Sequence, residues 1–418
     1  MENEKHEKLW TPSFLILWQG QLVSTMGDAI YSIALGFWVL AVTGSTALMG
    51  TLMAASTLPG VLVSPFAGVL IDRCNKRRLF ILMDMLRGVC IVLLAAAAYS
   101  GMIAIWMVFV AGIILSICGA VFSPGIQSAV PDLVPKSKVA NATSAFAVVG
   151  VGSNMLGSVA GGALFQILGA PVLFLIDGLS FLFSGASLPF VKIPNNTSKE
   201  KTHFFQDMAE GFRYIWEQKG LRMIIIVAAL INFFANIGII LLLPFFQSNP
   251  SLGAQKYGIA MACFMAGMMV GFLVFSIVSV KSVNKLILFI ASNIIFNITM
   301  IVGINQSSFI VMLVFIALTG FFNSIVNVIL MSTVQASTPQ NVRGKVMSFM
   351  SMITQGLTPF AMALGGVLGG VLPIRFVISA AFAAVFLVTI PSFFSKSFKK
   401  YITTDYAITE DPKLAQDE

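Results

Sequence analysis

Three aspartates, Asp28, Asp84 and Asp177, sit inside long runs of apolar residues. A charge at the centre of a bilayer costs at least about 2.5 kcal/mol, so an ionisable residue in such a run marks a function or a specific partner. Asp28 falls near the middle of the first run, with Ser24, Gly27, Tyr31 and Ser32 around it. A carboxylate on such a polar face can exchange a proton or attract a cation; its other role is an interhelical hydrogen bond. Asp177 lies about two turns into the sixth run, in Phe-Leu-Ile-Asp-Gly-Leu-Ser. It serves either as a second proton site or as the cap of a helix–helix contact. Asp84 and Arg87 are three residues apart on one helix face, the spacing of a charge pair that steadies or gates its helix.

Amides add a second polar set: Asn154, Asn232, Asn236, Asn323 and Asn327, with Asn293 and Asn297 in further runs. Polar side chains in lipid-embedded helices face the bundle interior. Some of these amides are expected to line a substrate cavity. Others hold helices together, at about 0.6 kcal/mol each.

Other chemistry has no support. His6 and His203 are the only histidines, both outside the apolar runs, and no Asp or Glu occurs between Gln218 and Thr404. The four cysteines, Cys74, Cys90, Cys118 and Cys263, form no metal or disulfide spacing. There is no phosphate-binding G-x-x-x-x-G-K-[ST] motif. An ATP-driven motor, a metal site and a hydrolase are therefore poor readings, and no cofactor is implied.

The elements that position these residues follow from composition. The chain has 418 residues, 57% hydrophobic and only 10% charged, with a mean hydropathy of +0.92. A soluble domain carries about 25% charged residues. Twelve runs are long enough to span a bilayer: 13–40, 46–71, 79–99, 103–127, 139–168, 171–191, 223–246, 257–280, 285–304, 308–331, 346–371 and 374–394. In lipid these must be helices, because backbone groups find no water partners there. The charged segment Met1 to Trp10 lacks the pattern of a cleaved leader. An all-α integral membrane protein with twelve transmembrane helices is expected.

Basic residues orient the chain. If it crosses twelve times, Lys5 and Lys8, the Arg73–Arg78 loop, Lys136, Lys138, the central segment, Lys281, Lys285, Arg343, Lys345 and the tail all fall on one side. That side collects 22 basic residues, against Lys256 and Arg375 on the other. Both termini are then cytoplasmic. The net charge of +8 is an orientation signature, with no nucleic acid implied.

Two six-helix halves are expected, 1–191 and 223–395, joined by a linker at 192–222 and followed by a tail at 396–418. In the linker, Phe205, Met208, Phe212 and Ile215 recur at helical spacing, with Asp207, Glu210, Arg213 and Glu217 between them. This predicts an amphipathic helix at the cytoplasmic interface. A shift of 204 residues aligns Ser128 with Ser332, Val130 with Val334, Pro135 with Pro339, Ser144 with Ser348, and Gly161-Gly162 with Gly365-Gly366. Parallel six-helix repeats are associated with secondary transporters. Small residues cluster at Gly150, Gly152, Gly157, Ser158, Gly161 and Gly162, where close helix packing is expected. Pro359 is expected to kink the eleventh run.

The loop after the second run reads Gly68-Val-Leu-Ile-Asp72-Arg73-Cys-Asn75-Lys76-Arg77-Arg78. It resembles motif A of the major facilitator superfamily, with Asn75 at the second glycine, so the turn there is either built differently or keeps the left-handed backbone that asparagine tolerates. In that family the loop helps lock the inner gate, which implies a gating role for Gly68, Asp72, Arg73, Lys76 and Arg77, beside the Asp84/Arg87 pair. Gly27-Asp28, Asp84-Met-Leu-Arg87, Pro131-Asp-Leu-Val-Pro135, Phe174-Leu-Ile-Asp177, Glu210-Gly-Phe-Arg-Tyr214 and Arg343-Gly-Lys-Val are similar to the drug:proton antiporter type-3 branch, which contains macrolide exporters. Gly157, Gly161 and Gly162 resemble the antiporter motif C, with Ser158 in place of its proline.

The resemblance implies a monomeric transporter in a bacterial cytoplasmic membrane, exporting an amphiphilic or cationic small molecule in exchange for protons. A lysophospholipid or lipid transporter of the same fold is the alternative. A nutrient symporter and a channel or scaffold are further rivals.

Overall fold

The computed structural model describes residues 9–193, 204–277 and 282–404. Lys5 and Lys8, linker residues 194–203, Lys281 and the tail beyond 404 lie outside the described residues. The described chain is helical, with no strand. Eleven helices among the described residues are long and apolar enough to cross a membrane.

Local sequence sets the helix ends. α1 (Pro12–Thr43) starts where the Thr11 side chain accepts from the Phe14 amide, and stops at Gly44, whose φ of 63° is left-handed. The second apolar run is broken into α2 (Thr46–Ala55) and α3 (Leu58–Arg73), with a proline in the first turn of α3. α4 (Lys76–Tyr99) and α5 (Ile105–Leu133) follow.

The fifth and sixth runs are not separated by a loop. They form one element, α6 (Val139–Ser187), interrupted only at Gly169 (φ 72°, ψ 175°). A residue with no Cβ takes this backbone at little cost. Pro171, two residues on, has no amide proton and so cannot continue the preceding helix. The chain thus changes course with no polar connection, which is why eleven crossing elements are seen where twelve apolar runs are read.

α7 (Phe204–Glu217) lies in the linker. The seventh run divides into α8 (Lys219–Ile240) and α9 (Leu242–Ser248). Next come α10 (Gly253–Ile277), α11 (Ser282–Ile304) and α12 (Phe309–Ser337). The eleventh run is split at Leu357 into α13 (Gln340–Gly356) and α14 (Thr358–Val371), with Pro359 opening the latter. α15 (Ile374–Phe394) and the short α16 (Lys396–Thr403) complete the chain.

The 204-residue repeat is written into these boundaries. α5 and α12 are both 29 residues long, and their ends, Ile105 and Phe309, Leu133 and Ser337, are offset by that same interval.

The chain forms two compact units, Met1–Thr202 with Phe246–Ile259, and His203–Phe245 with Ala260–Glu418. In the first, α1 and α4 both pack against α6, and α3 packs against α5. Its core includes the fully buried Phe14, Phe80, Phe174 and Phe181. Small residues permit the closest approaches. A Cβ at Gly157 would fall 2.6 Å from the Ala29 Cβ, and one at Gly162 would collide with the Ala254 carbonyl. Gly258 of α10 meets the Ser158 carbonyl in return. In the second unit α8 packs against α14, α15 and α16, and α11 packs against α12.

α7 also belongs to the second unit. Its Gly211 lies against the Lys345 backbone of α13, Phe212 and Phe349 stack with ring centroids 5.5 Å apart, and Ile215 is buried. Phe212 and Trp216 keep exposed faces. The side chains of Phe205, Asp207 and Met208 lie outside the described residues.

Gly162→Leu and Gly258→Leu should each lower stability by about 1–3 kcal/mol, since backbone must move to admit the side chain. Gly150→Ala, with open space around the added methyl, should leave it unchanged or slightly raised. Thermal unfolding of the purified protein in detergent reads both.

Candidate functional site

The first unit gathers its ionisable membrane residues at the contact of α1, α4 and α6. Asp84 and Arg87 form an ion pair on α4, both buried. The second Asp84 oxygen accepts from Ser184 Oγ of α6 at 2.7 Å. The Arg87 guanidinium lies between two aromatic faces, 4.4 Å from the Phe122 centroid and 4.3 Å from that of Phe181. Cation–π attraction of this kind strengthens when water is excluded.

Glycines bring the helices together here. A Cβ at Gly88 would fall 2.7 Å from the Leu182 side chain and 3.0 Å from the Gly178 carbonyl. One at Gly178 would fall 2.9 Å from the Val92 amide nitrogen. On α1, Gly27 leaves room for Asp177 and Ser180 of α6: its Cβ would stand 2.6 Å from Asp177 Oδ1. Asp177 is thereby set against α1 beside Asp28.

Asp177 is fully buried, and Ser180 Oγ lies 3.5 Å from its Oδ1. Its Oδ2 has no hydrogen-bond partner among the described residues, nor has the Tyr31 hydroxyl or Arg87 Nε. Tyr31 is buried with its ring against Phe174, 5.3 Å between centroids. Asp28 is partly buried. It stands in the electrostatic field of Arg87 and Asp84, and Asp177 in that of Asp28 and Arg87. Among the described residues Asp84 alone is bonded to the guanidinium, while Asp28 and Asp177 lie within reach of its field.

A cavity of about 530 Å³ lies in the same unit, lined by Gln21 and Thr25 of α1, Ser123 and Gln127 of α5, and Thr143 and Phe146 of α6. Gln21 Nε2 donates to Thr25 Oγ1 at 2.8 Å. Gln21, Thr25 and Asp28 follow i, i+4, i+7 spacing and share one face of α1. Gln21 and Thr25 were not among the residues singled out from sequence, although that spacing from Asp28 marks them.

The amides do not join this cluster. Asn154 is exposed, and its Nδ2 donates to the Gly150 carbonyl at 2.7 Å. The others belong to the second unit and pair along their own helices. Asn236 donates to Asn232 Oδ1 at 2.7 Å, and Thr358 of α14 to the same oxygen at 3.3 Å. Asn327 donates to Asn323 Oδ1 at 3.1 Å, with Asn327 exposed. The most buried amides are Asn293 and Asn297, tied to Thr389 of α15 through Asn293 Oδ1 at 3.2 Å.

In the loop after α3, Lys76 pairs with Asp132 of α5 at 3.1 Å and donates to the Ser128 carbonyl at 3.2 Å. Arg77 donates to the Pro189 carbonyl. A Cβ at Gly68 would meet open space. The side chains of Asp72 and Arg73 lie outside the described residues. At Asn75 the turn is built differently: its backbone is extended (φ −67°, ψ 107°), not left-handed, and its side chain accepts from the Arg78 amide at 3.1 Å. The residue is used as the N-cap of α4, a role in which asparagine is among the best side chains.

A family model described as Major Facilitator Superfamily matches residues 17–356 and 251–405. The chain belongs to the Major Facilitator Superfamily. Among its superfamily relatives, macrolide efflux protein A of Streptococcus pyogenes is 23% identical over 365 residues, covering 86% of this chain and 89% of that protein. Multidrug efflux pump Tap of Mycobacterium tuberculosis is 22% identical, covering 85% and 86%. Of solved structures, a bacterial homologue of the iron transporter ferroportin, in an inward-facing state, gives a TM-score of 0.70 at 18% identity, covering 94% of this chain and 99% of that one. The nucleoside transporter NupG gives 0.74 at 12% identity, covering 91% and 100%. These likenesses show the superfamily fold, a multi-pass membrane transporter.

Removing the guanidinium of this superfamily member should strand a buried carboxylate. Arg87→Met should cost roughly 3–5 kcal/mol, and Asp84→Asn added to it should restore much of the loss. Thermal midpoints of the two variants and the parent decide it.

Proposed function

We propose that this transporter exports amphiphilic, cationic small molecules of the macrolide class in exchange for protons. The observation that carries the reading is the charge imbalance of the first unit: Asp28, Asp84 and Asp177 gather around Arg87 alone, while residues 218–404 contain no carboxylate. The two surplus negative charges are met by protons or by a cationic substrate, and that choice is what an exchanger needs. Asp84 is already committed to Arg87 and Ser184. Asp28 has no hydrogen bond or ion pair among the described residues, and Asp177 keeps one oxygen free. Asp28 is therefore the exchanging carboxylate and Asp177 its partner.

The path to Asp28 is the cavity of Gln21, Thr25, Ser123 and Gln127, with Tyr31 beside the carboxylates. Twelve crossings with both termini cytoplasmic accord with the 22-to-2 division of basic residues. They need a fold at Gly169 between two crossings. Alternating access would expose Asp28 to each side in turn, with the motif A loop, through Lys76 and Asp132, holding one of the states. The amide pairs of the second unit, Asn232/Asn236 and Asn323/Asn327, supply neutral hydrogen-bonding groups for the substrate. The relatives named above are drug exporters, which favours efflux over lipid translocation.

Purified protein in liposomes with an imposed pH gradient tests this. Transport of a cationic amphiphile should require the gradient, and Asp28→Asn should reduce it at least about tenfold, the effect of roughly 1.4 kcal/mol or more. Asp28→Asn that keeps full gradient-driven transport would remove the proposal. Retained transport with no dependence on the gradient in the parent protein would remove the proton.

A further inference from the structure

A groove of about 430 Å³ runs between α8, α15 and the start of α16 in the second unit. Lys219 and Arg222 stand at one end. Along α8 the lining becomes apolar, through Met223, Ile226 and Leu230, with Val388 of α15 opposite. Arg222 and Leu230 are eight residues apart, about 12 Å along a helix. Ile226 is 51% exposed, so the track opens outward.

Among the described residues no carboxylate is paired with the charged end. Residues 218–404 hold no acid. The α7 carboxylates whose side chains are described are both paired, Glu217 with Arg213 at 3.0 Å and Glu210 with Lys345 at 2.5 Å. Arg222 is held in place by the chain itself. Its Nη1 donates to the Trp216 carbonyl at 3.2 Å and its guanidinium lies 4.9 Å from the Trp216 ring. Lys219 is exposed, with no ion pair among the described residues.

α16 adds to the field. Phe398, Tyr401 and Ile402 are buried, which turns Lys396, Lys399 and Lys400 outward. Trp216 is 58% exposed beside the cations, a residue type enriched at lipid headgroup level. Two cations leading into an apolar track match a molecule with an anionic head and a hydrocarbon tail.

We propose that this groove holds one anionic phospholipid, its phosphate on Lys219 and Arg222 and an acyl chain along Met223 to Leu230. The site is separate from the Asp28 cluster, and its test does not depend on transport. A lipid held here clamps α8 to α15 and α16.

Native mass spectrometry of the full-length protein, titrated with phosphatidylglycerol, phosphatidylcholine or inorganic phosphate, reads the occupancy. One phosphatidylglycerol should be retained in preference to phosphatidylcholine. The double variant Lys219→Gln, Arg222→Gln should lose roughly tenfold or more of that binding. Lys399→Gln, outside the groove, should retain it. Ile226→Trp, which fills the track and keeps both cations, should also reduce it, and this variant stands if the double variant fails to fold. Equal retention of phosphatidylcholine, or loss in Lys399→Gln as large as in the double variant, would overturn the proposal. So would displacement of the lipid by inorganic phosphate alone, which would leave only an anion site.

Discussion

A guanidinium held away from water fixes the arrangement of the first unit. Arg87 cannot shed its proton. It must therefore be solvated by protein, and the solvation comes from three directions: Asp84 on its own helix, and the ring faces of Phe122 and Phe181 from α5 and α6. That arrangement requires α4 and α6 to touch, which Gly88 and Gly178 allow, and it brings Ser184 onto Asp84. Once α6 is seated there, Asp177 is carried against Gly27 and so next to Asp28. The polar centre of the unit is thus a consequence of how one cation is accommodated.

The two units share a repeat yet divide the chemistry. α5 and α12 match in length and in both end positions, so the scaffold is doubled. The charges are not. Where the first unit buries carboxylates and an arginine, the second buries Asn293, Asn297, Thr299, Thr319 and Thr389, joined by hydrogen bonds between side chains and to their own helices. Neutral amides and hydroxyls hold helices without needing a counter-charge, each at modest gain. Such a division suits the proposed exchange, in which the first half would titrate and the second would present a neutral surface.

Much of this was legible in the residues alone. Apolar runs of the right length gave the helices, because a backbone in lipid has no other way to satisfy its amides. Asp84 and Arg87 could be paired from spacing within one helix. Contacts across helices were less accessible. No local pattern announces that Phe122 and Phe181 will enclose Arg87, or that Gly27 will face Asp177. For Asn75 the residue type alone leaves a rebuilt turn and a left-handed backbone both open, and capping of the Arg78 amide by its side chain decides the conformation. The divisions at Ser56 and Leu357 left the apolar pattern intact, so only the neighbouring prolines hinted at them. The absence of a loop at Gly169 was hidden for the same reason: hydropathy records where polar residues lie, not where a chain bends without them.

The lack of acids from Gln218 to Thr404 has a chemical consequence of its own. Carbodiimides react with carboxyl groups in apolar surroundings, and in this stretch they have nothing to react with. Within the membrane-crossing helices their targets reduce to Asp28, Asp84, Asp132 and Asp177 together with Asp72 at a helix end. Within the membrane-crossing helices a hydrophobic reagent of that kind therefore reports on the first unit alone, because the second unit's carboxylates all lie outside residues 218–404.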